Sequence, residues 1–166
     1  MPFFLKDKHM IDNEAFKAAM RFFASGITVI TWKTAAAPIQ GITVSAFSSL
    51  SLNPPLVLFC VDHQAHIYPE LSQQQHVCVN ILAAGQTALA YQFAGGDRNH
   101  LEAHLHHNNA LALPMLKQAQ ANLLINIQNI IRQGDHDIFV GLVEESAVYP
   151  ERAPLLYYNS NISDGV

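Results

Sequence analysis

Charge is what this 166-residue chain has least of: Asp, Glu, Lys and Arg make up 13% of it, 13 acidic against 9 basic, for a net charge of −4. That balance, with a pI near 6.1, excludes the basic footprint that nucleic-acid binding needs. No apolar run is long enough to span a bilayer, and the opening MPFFLKDKHM is too short and too polar for a signal peptide, so no membrane role is expected. The chain has only two cysteines, Cys60 and Cys78. Each sits in an apolar strand-like run, as a buried thiol of a reduced, cytoplasmic protein would. Linkers, internal repeats and low-complexity tracts are missing too, which predicts one domain over 1–166 that buries roughly 70% of its unfolded surface. No nucleophile elbow supports a Ser-His-Asp hydrolase. Gly95-Gly96 follows no strand of a βαβ unit, so it is not a dinucleotide fingerprint. Hydrophobic residues make up 50% of the chain. With so few charges to solvate the outside, part of the surface is expected to lie against another subunit.

What is present is a series of short strand patterns. From Gly41, Ile42, Val44 and Ala46 alternate with Thr43, Ser45, Phe47 and Ser49, giving one core-facing side and one side of hydroxyls and an aromatic ring. The hydroxyl row reads either as a half-exposed strand wetted by solvent or as an anion cradle. Asn53-Pro54-Pro55 breaks that ladder, and Leu56 to Val61 reads as a fully buried strand. Asp12 or Asn13 caps a helix predicted over 14–24, with Phe16, Ala19, Met20 and Phe23 on one stripe and Gly26 as its C-terminal glycine. A strand over 27–34, a turn at 35–38, a short helix near 68–73, a strand over 76–82 and a helix over 86–93 follow. Residues 94–113 are polar and irregular, a loop or lid candidate. After Pro114 come two long strands, with Leu123, Ile125 and Ile127 on one face of the first and Ile138, Val140 and Leu142 on one face of the second. Gln133-Gly134-Asp135-His136 is the turn between them. Many strands and few helices predict a mainly β, closed antiparallel barrel with peripheral helices.

Five collinear segments carry a family resemblance: FKAAMRFFASGITVITW (16–32), GITVSAFSSLSLNPPLVLFCVD (41–62), VNIL (79–82) with QFAGGDR (92–98), GDHDIFVGLVEE (134–145) and PLLYY (154–158). In these the chain resembles the short-chain flavin reductases, the FMN-binding split-barrel proteins that supply reduced flavin to two-component monooxygenases. The resemblance implies a homodimeric Greek-key split β-barrel. It also implies FMN, with FAD as the alternative, reduced by NADH or NADPH, and a separate oxygenase that receives the product. The rival it leaves open is an FMN-binding electron carrier or flavin store.

The same resemblance assigns residues. Ile42, Thr43, Val44, Ser45 and Ala46 would meet the flavin ring and ribityl chain. Ser48, Ser49 and the loop Asp62-His63-Gln64-Ala65-His66 would approach the phosphate, although that loop carries no permanent cation here. Phe93 would border the flavin, and Arg98 would reach a phosphate or face solvent. Tyr157 would lie at the flavin or at the dimer seam. His136 would place the nicotinamide, whereas by spacing alone a His after Gly-Asp is a solvated turn residue. His100, His104, His106 and His107 have no recognised ligand spacing and read as a polar loop; no metal is expected. Asn80, between Val79 and Ile81, is expected to satisfy backbone groups inside the barrel.

Overall fold

The computed structural model describes residues 10–97 and 99–165. Arg98 lies outside the described residues.

Helix α1, Asn13–Met20, starts where the Asp12 carboxylate accepts the Ala15 N–H at 2.8 Å. It is shorter than its periodicity predicts. Phe22 and Phe23 close the next turns onto Ala19 and Met20 carbonyls, and the chain then enters β1, Ser25–Gly26. Gly26 is therefore a ladder residue facing Leu156 and not a helix cap. The predicted apolar stripe exists but is uncovered: no α1 residue is buried, and Phe16, Met20, Phe22 and Phe23 are all exposed.

The next strands are β2, Thr28–Trp32; β3, Gln40–Val44; β4, Phe47–Leu52; and β5, Pro55–Asp62. All five β2 residues are buried, since it runs between β3 and β6 (His76–Ile81). Its two threonines are tolerated there because their hydroxyls donate to the Val44 and Pro114 carbonyls. The alternation read from Gly41 to Ser49 is not one strand. It is cut at Ser45-Ala46, where the chain leaves β3, paired to β2, and enters β4, paired to β5.

Asn53-Pro54 interrupts the strand as expected: it is the tip of the β4–β5 hairpin, with Leu52 opposite Pro55, which already belongs to β5. β5, however, is not buried on both faces. Val57, Phe59 and Val61 point into the core, while Leu56, Leu58 and Cys60 on the other face are half-buried, because only one face of this strand meets the barrel interior.

Helix α2, Tyr68–Leu71, and helix α3, Thr87–Phe93, follow; Leu89 and Phe93 face inward as predicted. The 94–113 stretch is more anchored than a loop. It holds a 3-10 turn, Leu101–His104, and strand β7, Leu105–His106, paired with β8, Met115–Leu116. Leu101, Leu105 and Leu113 are buried. The two long strands are β9, Ala121–Gln133, and β10, His136–Val148. β11, Leu155–Tyr158, and β12, Asn161–Asp164, form a small sheet with β1.

The large sheet has seven strands in the order β3-β2-β6-β9-β10-β5-β4. Its first and last strands are consecutive in sequence, so the sheet curls until its edges meet at Ser45-Ala46, where the Ala46 carbonyl accepts the Cys60 N–H. The interior is filled by Ile30, Trp32, Val57, Phe59, Val77, Ile125 and Phe139; Phe59 and Phe139, cross-strand partners, stack at 5.0 Å. Asn80 satisfies backbone groups as expected, but on the outer face of β6 and not inside the barrel, because Val77 and Val79 take the inward positions of that strand. The Asn80 amide donates to the Val29 carbonyl and the Thr31 hydroxyl, and its oxygen accepts the Leu116 N–H and the Asn122 amide. One side chain thus ties the excursion through β8 to the sheet.

Candidate active site

A cleft of about 790 Å³ opens between the outer side of β3, the segment that links β5 to α2, and the C-terminal end of α3. Gln40, Ile42 and Thr43 supply the first wall, Ala65, His66, Ile67 and Glu70 the second, and Phe93 to Gly96 the third. The size lies inside the roughly 300–1,000 Å³ typical of small-molecule sites. Its walls are mainly apolar, with an amide, a carboxylate and an imidazole at the margins.

Local rules explain each wall. β3 is the first strand in the sheet order, so one of its edges borders the cleft instead of another strand of that sheet. Gly41 lets α3 approach: a Cβ there would stand 2.8 Å from the Phe93 ring and from the Ile30 carbonyl oxygen. α3 ends at Phe93, and the chain turns away at Gly95, whose φ of +104° is a conformation that L side chains rarely adopt. Glu70 is held at the rim by the Trp32 indole N–H at 2.8 Å. The Thr43 hydroxyl donates to the Ala90 carbonyl at 2.6 Å, so Thr43 fastens β3 to α3 and leaves its hydroxyl no free proton for a ligand.

Beside the second wall, the β9–β10 turn brings His136 opposite Asp62. The His136 side chain is 44% exposed and its Nδ1 lies 2.7 Å from Asp135 Oδ1. A carboxylate only accepts, so Nδ1 carries the proton and, in the neutral ring, Nε2 is left as an acceptor. That bond, the leading cause, holds the Asp135 carboxyl below its ordinary value. One residue on, Asp137 is buried. Its Oδ1 meets His63 Nε2 at 2.6 Å, and its Oδ2 accepts the Tyr68 hydroxyl at 2.5 Å. Arg132 Nε stands 3.8 Å away. Neither thiol lines the cleft, and burial pushes Cys60 up and Cys78 up to about 12.

Of the residues expected from the sequence, the structure brings Ile42, Thr43, Ala65 and Phe93 to the cleft. Val44 faces the barrel core instead. Ser45 and Ala46 are exposed at the bend between β3 and β4. Ser48 and Ser49 are exposed on β4 opposite Leu58 and Val57. At about 3.3 Å per residue, Ser49 is on the order of 17 Å along the barrel from Asp62, and Ser48 bonds the Ser49 carbonyl. Asp62 and His63 shape the neighbouring loop rather than line the cleft, the first by accepting the Gln64 N–H and the second through Asp137. Gln64 is exposed. Tyr157 pairs with Ser25 and packs against the cluster around Ile27 and Leu155.

His66, at the end of the loop expected near the phosphate, lines the cleft. Gln40, Ile67, Glu70 and the Ala94–Gly96 stretch line it without having been expected, and the Tyr68–Asp137–His63 bonds beside it were not expected either. Only Gly95-Gly96 carried a sequence signal, a glycine pair after a helix. Among the described residues no group of three or more His, Cys, Asp or Glu side chains comes together as a metal would require. His107 Nδ1 lies 3.2 Å from the Ala112 carbonyl.

Comparison with known proteins gives this geometry its context. The chain is 38% identical over 146 residues to the reductase component of 4-hydroxyphenylacetate 3-monooxygenase from Thermus thermophilus, covering 88% of this chain and 92% of that one. Among solved structures, the flavin reductase PheA2 in its native state superposes with a TM-score of 0.84 at 32% identity, over 94% of this chain and 99% of PheA2. The NADH:FAD oxidoreductase SgcE6 of Streptomyces globisporus C-1027, in complex with NAD and FAD fragments, superposes at 0.85 with 27% identity, over 95% of this chain and 97% of that one. The model of the flavin reductase like domain matches residues 20–165. From its barrel and this match over nearly its whole length, the chain belongs to the flavin reductase like family.

Proposed function

We propose that the cleft between β3, the 62–67 segment and the end of α3 is the flavin site of an NAD(P)H-dependent flavin reductase, the supplier of reduced flavin to a separate monooxygenase. The chain is an oxidoreductase of the flavin reductase family and uses flavin and NADH. The observation that carries the assignment of the site is the coincidence of a ligand-sized, apolar-walled cleft with two of the segments that carry the family resemblance, 41–62 through Ile42 and Thr43 and 92–98 through Phe93 to Gly96.

The residues fit a flavin by their chemistry. A tricyclic ring wants flat apolar walls with a few polar groups at its edge. Ile42, Ala65, Ile67 and Phe93 supply the first, and Gln40 with the backbone of β3 supplies the second. Glu70 is a poor neighbour for a phosphate, and His66 is the one lining side chain among the described residues that can carry positive charge. FMN is the proposed flavin, with FAD the alternative. When bound, the flavin supplies the hydride-accepting centre and the nicotinamide the donor. The work of this chain is alignment. His136, fixed in one tautomer by Asp135, presents Nε2 beside the cleft as an acceptor for a carboxamide N–H. The exposed stripe of α1 with Leu50, Leu52, Ile130 and Ile131 supports a homodimer, because a lone chain does not leave so much apolar surface in water. Free cysteines and the need for reduced nicotinamide support a cytoplasmic setting. Among the described residues no helix is long and apolar enough to cross a membrane.

The test is steady-state oxidation of NADH and NADPH with FMN, FAD and riboflavin titrated in turn. Turnover that saturates with flavin is the expected result. Tight flavin binding without nicotinamide oxidation would refute the reductase reading in favour of a carrier.

A further inference from the structure

We infer that Asp137 is a positioning residue for flavin binding: its one carboxylate clamps both ends of the segment that forms the second wall of the cleft. The inference rests on the flavin reading above and adds to it a residue that never touches the ligand.

The cleft-lining part of that wall is Ala65, His66 and Ile67. His63 stands just before it and Tyr68 just after, and the two side chains end on opposite oxygens of the same buried carboxylate. The rings of His63 and Tyr68 also meet edge to face at 5.3 Å, and Tyr68 leans on Phe139 in the barrel core. The segment between them is also held by local turns, Ala65 N–H to the Asp62 carbonyl and Tyr68 N–H to the Ala65 carbonyl. Such turns set the shape of a loop, not its place on the barrel. Residues 63–68 meet the rest of the fold through the packing of Ala65, Ile67 and Tyr68 on the barrel's apolar cluster, the His63 N–H on the Asp135 carbonyl and the side chains on Asp137 and Phe139. Apolar packing is non-directional, so the two bonds to the Asp137 carboxylate are the side-chain contacts that fix the segment's register.

Asp137 belongs to the core-facing row of β10 with Phe139. An apolar side chain would suit that row, and a buried carboxylate is unfavourable unless every partner is in place. The groups facing it are His63 from the segment after β5, Tyr68 from α2 and Arg132 from β9. Asp135 and His136 lie in the adjoining turn, and Asp62 lies across from it. The Tyr68 and His63 bonds hold the Asp137 carboxyl below its ordinary value, so the clamp stays ionised through the neutral range.

If the wall is in its binding position only a fraction f of the time, the apparent Kd rises by 1/f. We expect Tyr68→Phe and His63→Ala each to raise the flavin Kd about threefold and Asp137→Ala about tenfold. kcat at saturating flavin and the KM for nicotinamide should stay within about twofold of wild type. A merely structural role would instead lower kcat and thermal stability together.

Hydrogen exchange followed by mass spectrometry supplies a readout that needs no flavin: amides 63–68 should exchange several-fold faster in Tyr68→Phe while β6 and β9 are unchanged. Tyr68→Phe removes one hydroxyl, so it keeps the test valid should Asp137→Ala not fold. Faster exchange with unaltered flavin Kd, or unaltered exchange, overturns the clamp. Faster exchange in a protein whose wild type binds no flavin upholds the clamp of the loop and overturns the flavin reading.

Discussion

Replacing Gly41 by Ala should damage stability and the cleft together, and the structure fixes the sign. A Cβ at 41 would stand 2.8 Å from the Ile30 carbonyl oxygen and 2.8 Å from two carbons of the Phe93 ring. The ring can tilt, but the Ile30 carbonyl is backbone of the buried central strand β2 and cannot retreat without moving the β2–β3 ladder. Overpacking of this kind costs about 1–3 kcal/mol, against a gain of about 0.4–1 kcal/mol from the less flexible unfolded chain. The net loss is about 1–2 kcal/mol, a fall in Tm of roughly 2–8 °C for a chain of this size. Phe93 is the part that yields, and it yields toward the cleft it lines, so flavin affinity should drop several-fold. Thermal unfolding by circular dichroism and flavin fluorescence titration measure the two effects. Shortening the ring separates them: Gly41→Ala/Phe93→Leu should recover affinity relative to Gly41→Ala while the clash with the Ile30 carbonyl persists. An unchanged Tm with unchanged flavin affinity in the single variant would refute the packing of α3 on β3 described here.

Four further outcomes are expected. His136→Ala should raise the KM for nicotinamide or lower kcat while the flavin Kd stays put, which stopped-flow and fluorescence titration separate; movement of the flavin Kd alone would remove His136 from the nicotinamide side. Asn80→Ala strands the Leu116 N–H, the Asn122 amide and the partners of the Asn80 amide inside the protein, a loss of about 2–4 kcal/mol read by urea denaturation. Charging the exposed stripe with Phe16→Asp/Phe23→Asp should shift sedimentation from dimer to monomer, and a variant that remains dimeric would place the subunit contact elsewhere. The carboxyl of Asp137 is held low by Tyr68 and then His63. The stability it adds is therefore present above the ordinary carboxylate pKa and lost as pH falls through the depressed value. Acid unfolding below about pH 4 should accordingly be shallower in Asp137→Asn than in wild type.

How much of this was legible in the sequence depends on the range of the forces involved. Patterns fixed by neighbours a few residues apart came through: the Asp12 cap, the inward face of α3 and the long β9–β10 hairpin. Patterns settled by distant partners did not. The alternation from Ile42 to Ser49 is continuous in sequence, yet it breaks at Ser45-Ala46 because β3 must pair with β2 and β4 with β5 at opposite edges of one sheet. Periodicity gave α1 an apolar stripe but carries no information about what covers it, and no residue of α1 is buried among the described residues. The apolar run Leu56–Val61 looked buried on both sides because hydrophobicity marks what tolerates burial, not which face receives it.

Asp137 is the sharpest case. It occupies an unassuming position of the Gly-Asp-His block, next to the histidine that attracts attention. Its two partners lie 69 and 74 residues away, at a separation where no local spacing rule applies. The part of the site built from backbone demands left one trace in the sequence, the glycine pair Gly95-Gly96 after α3, whereas the close approach that Gly41 permits shows only in the fold. The part built from side chains that meet across the fold needed the fold first. That division is why the residues lining the cleft were half anticipated, while the bonds that hold its wall in place were not anticipated at all.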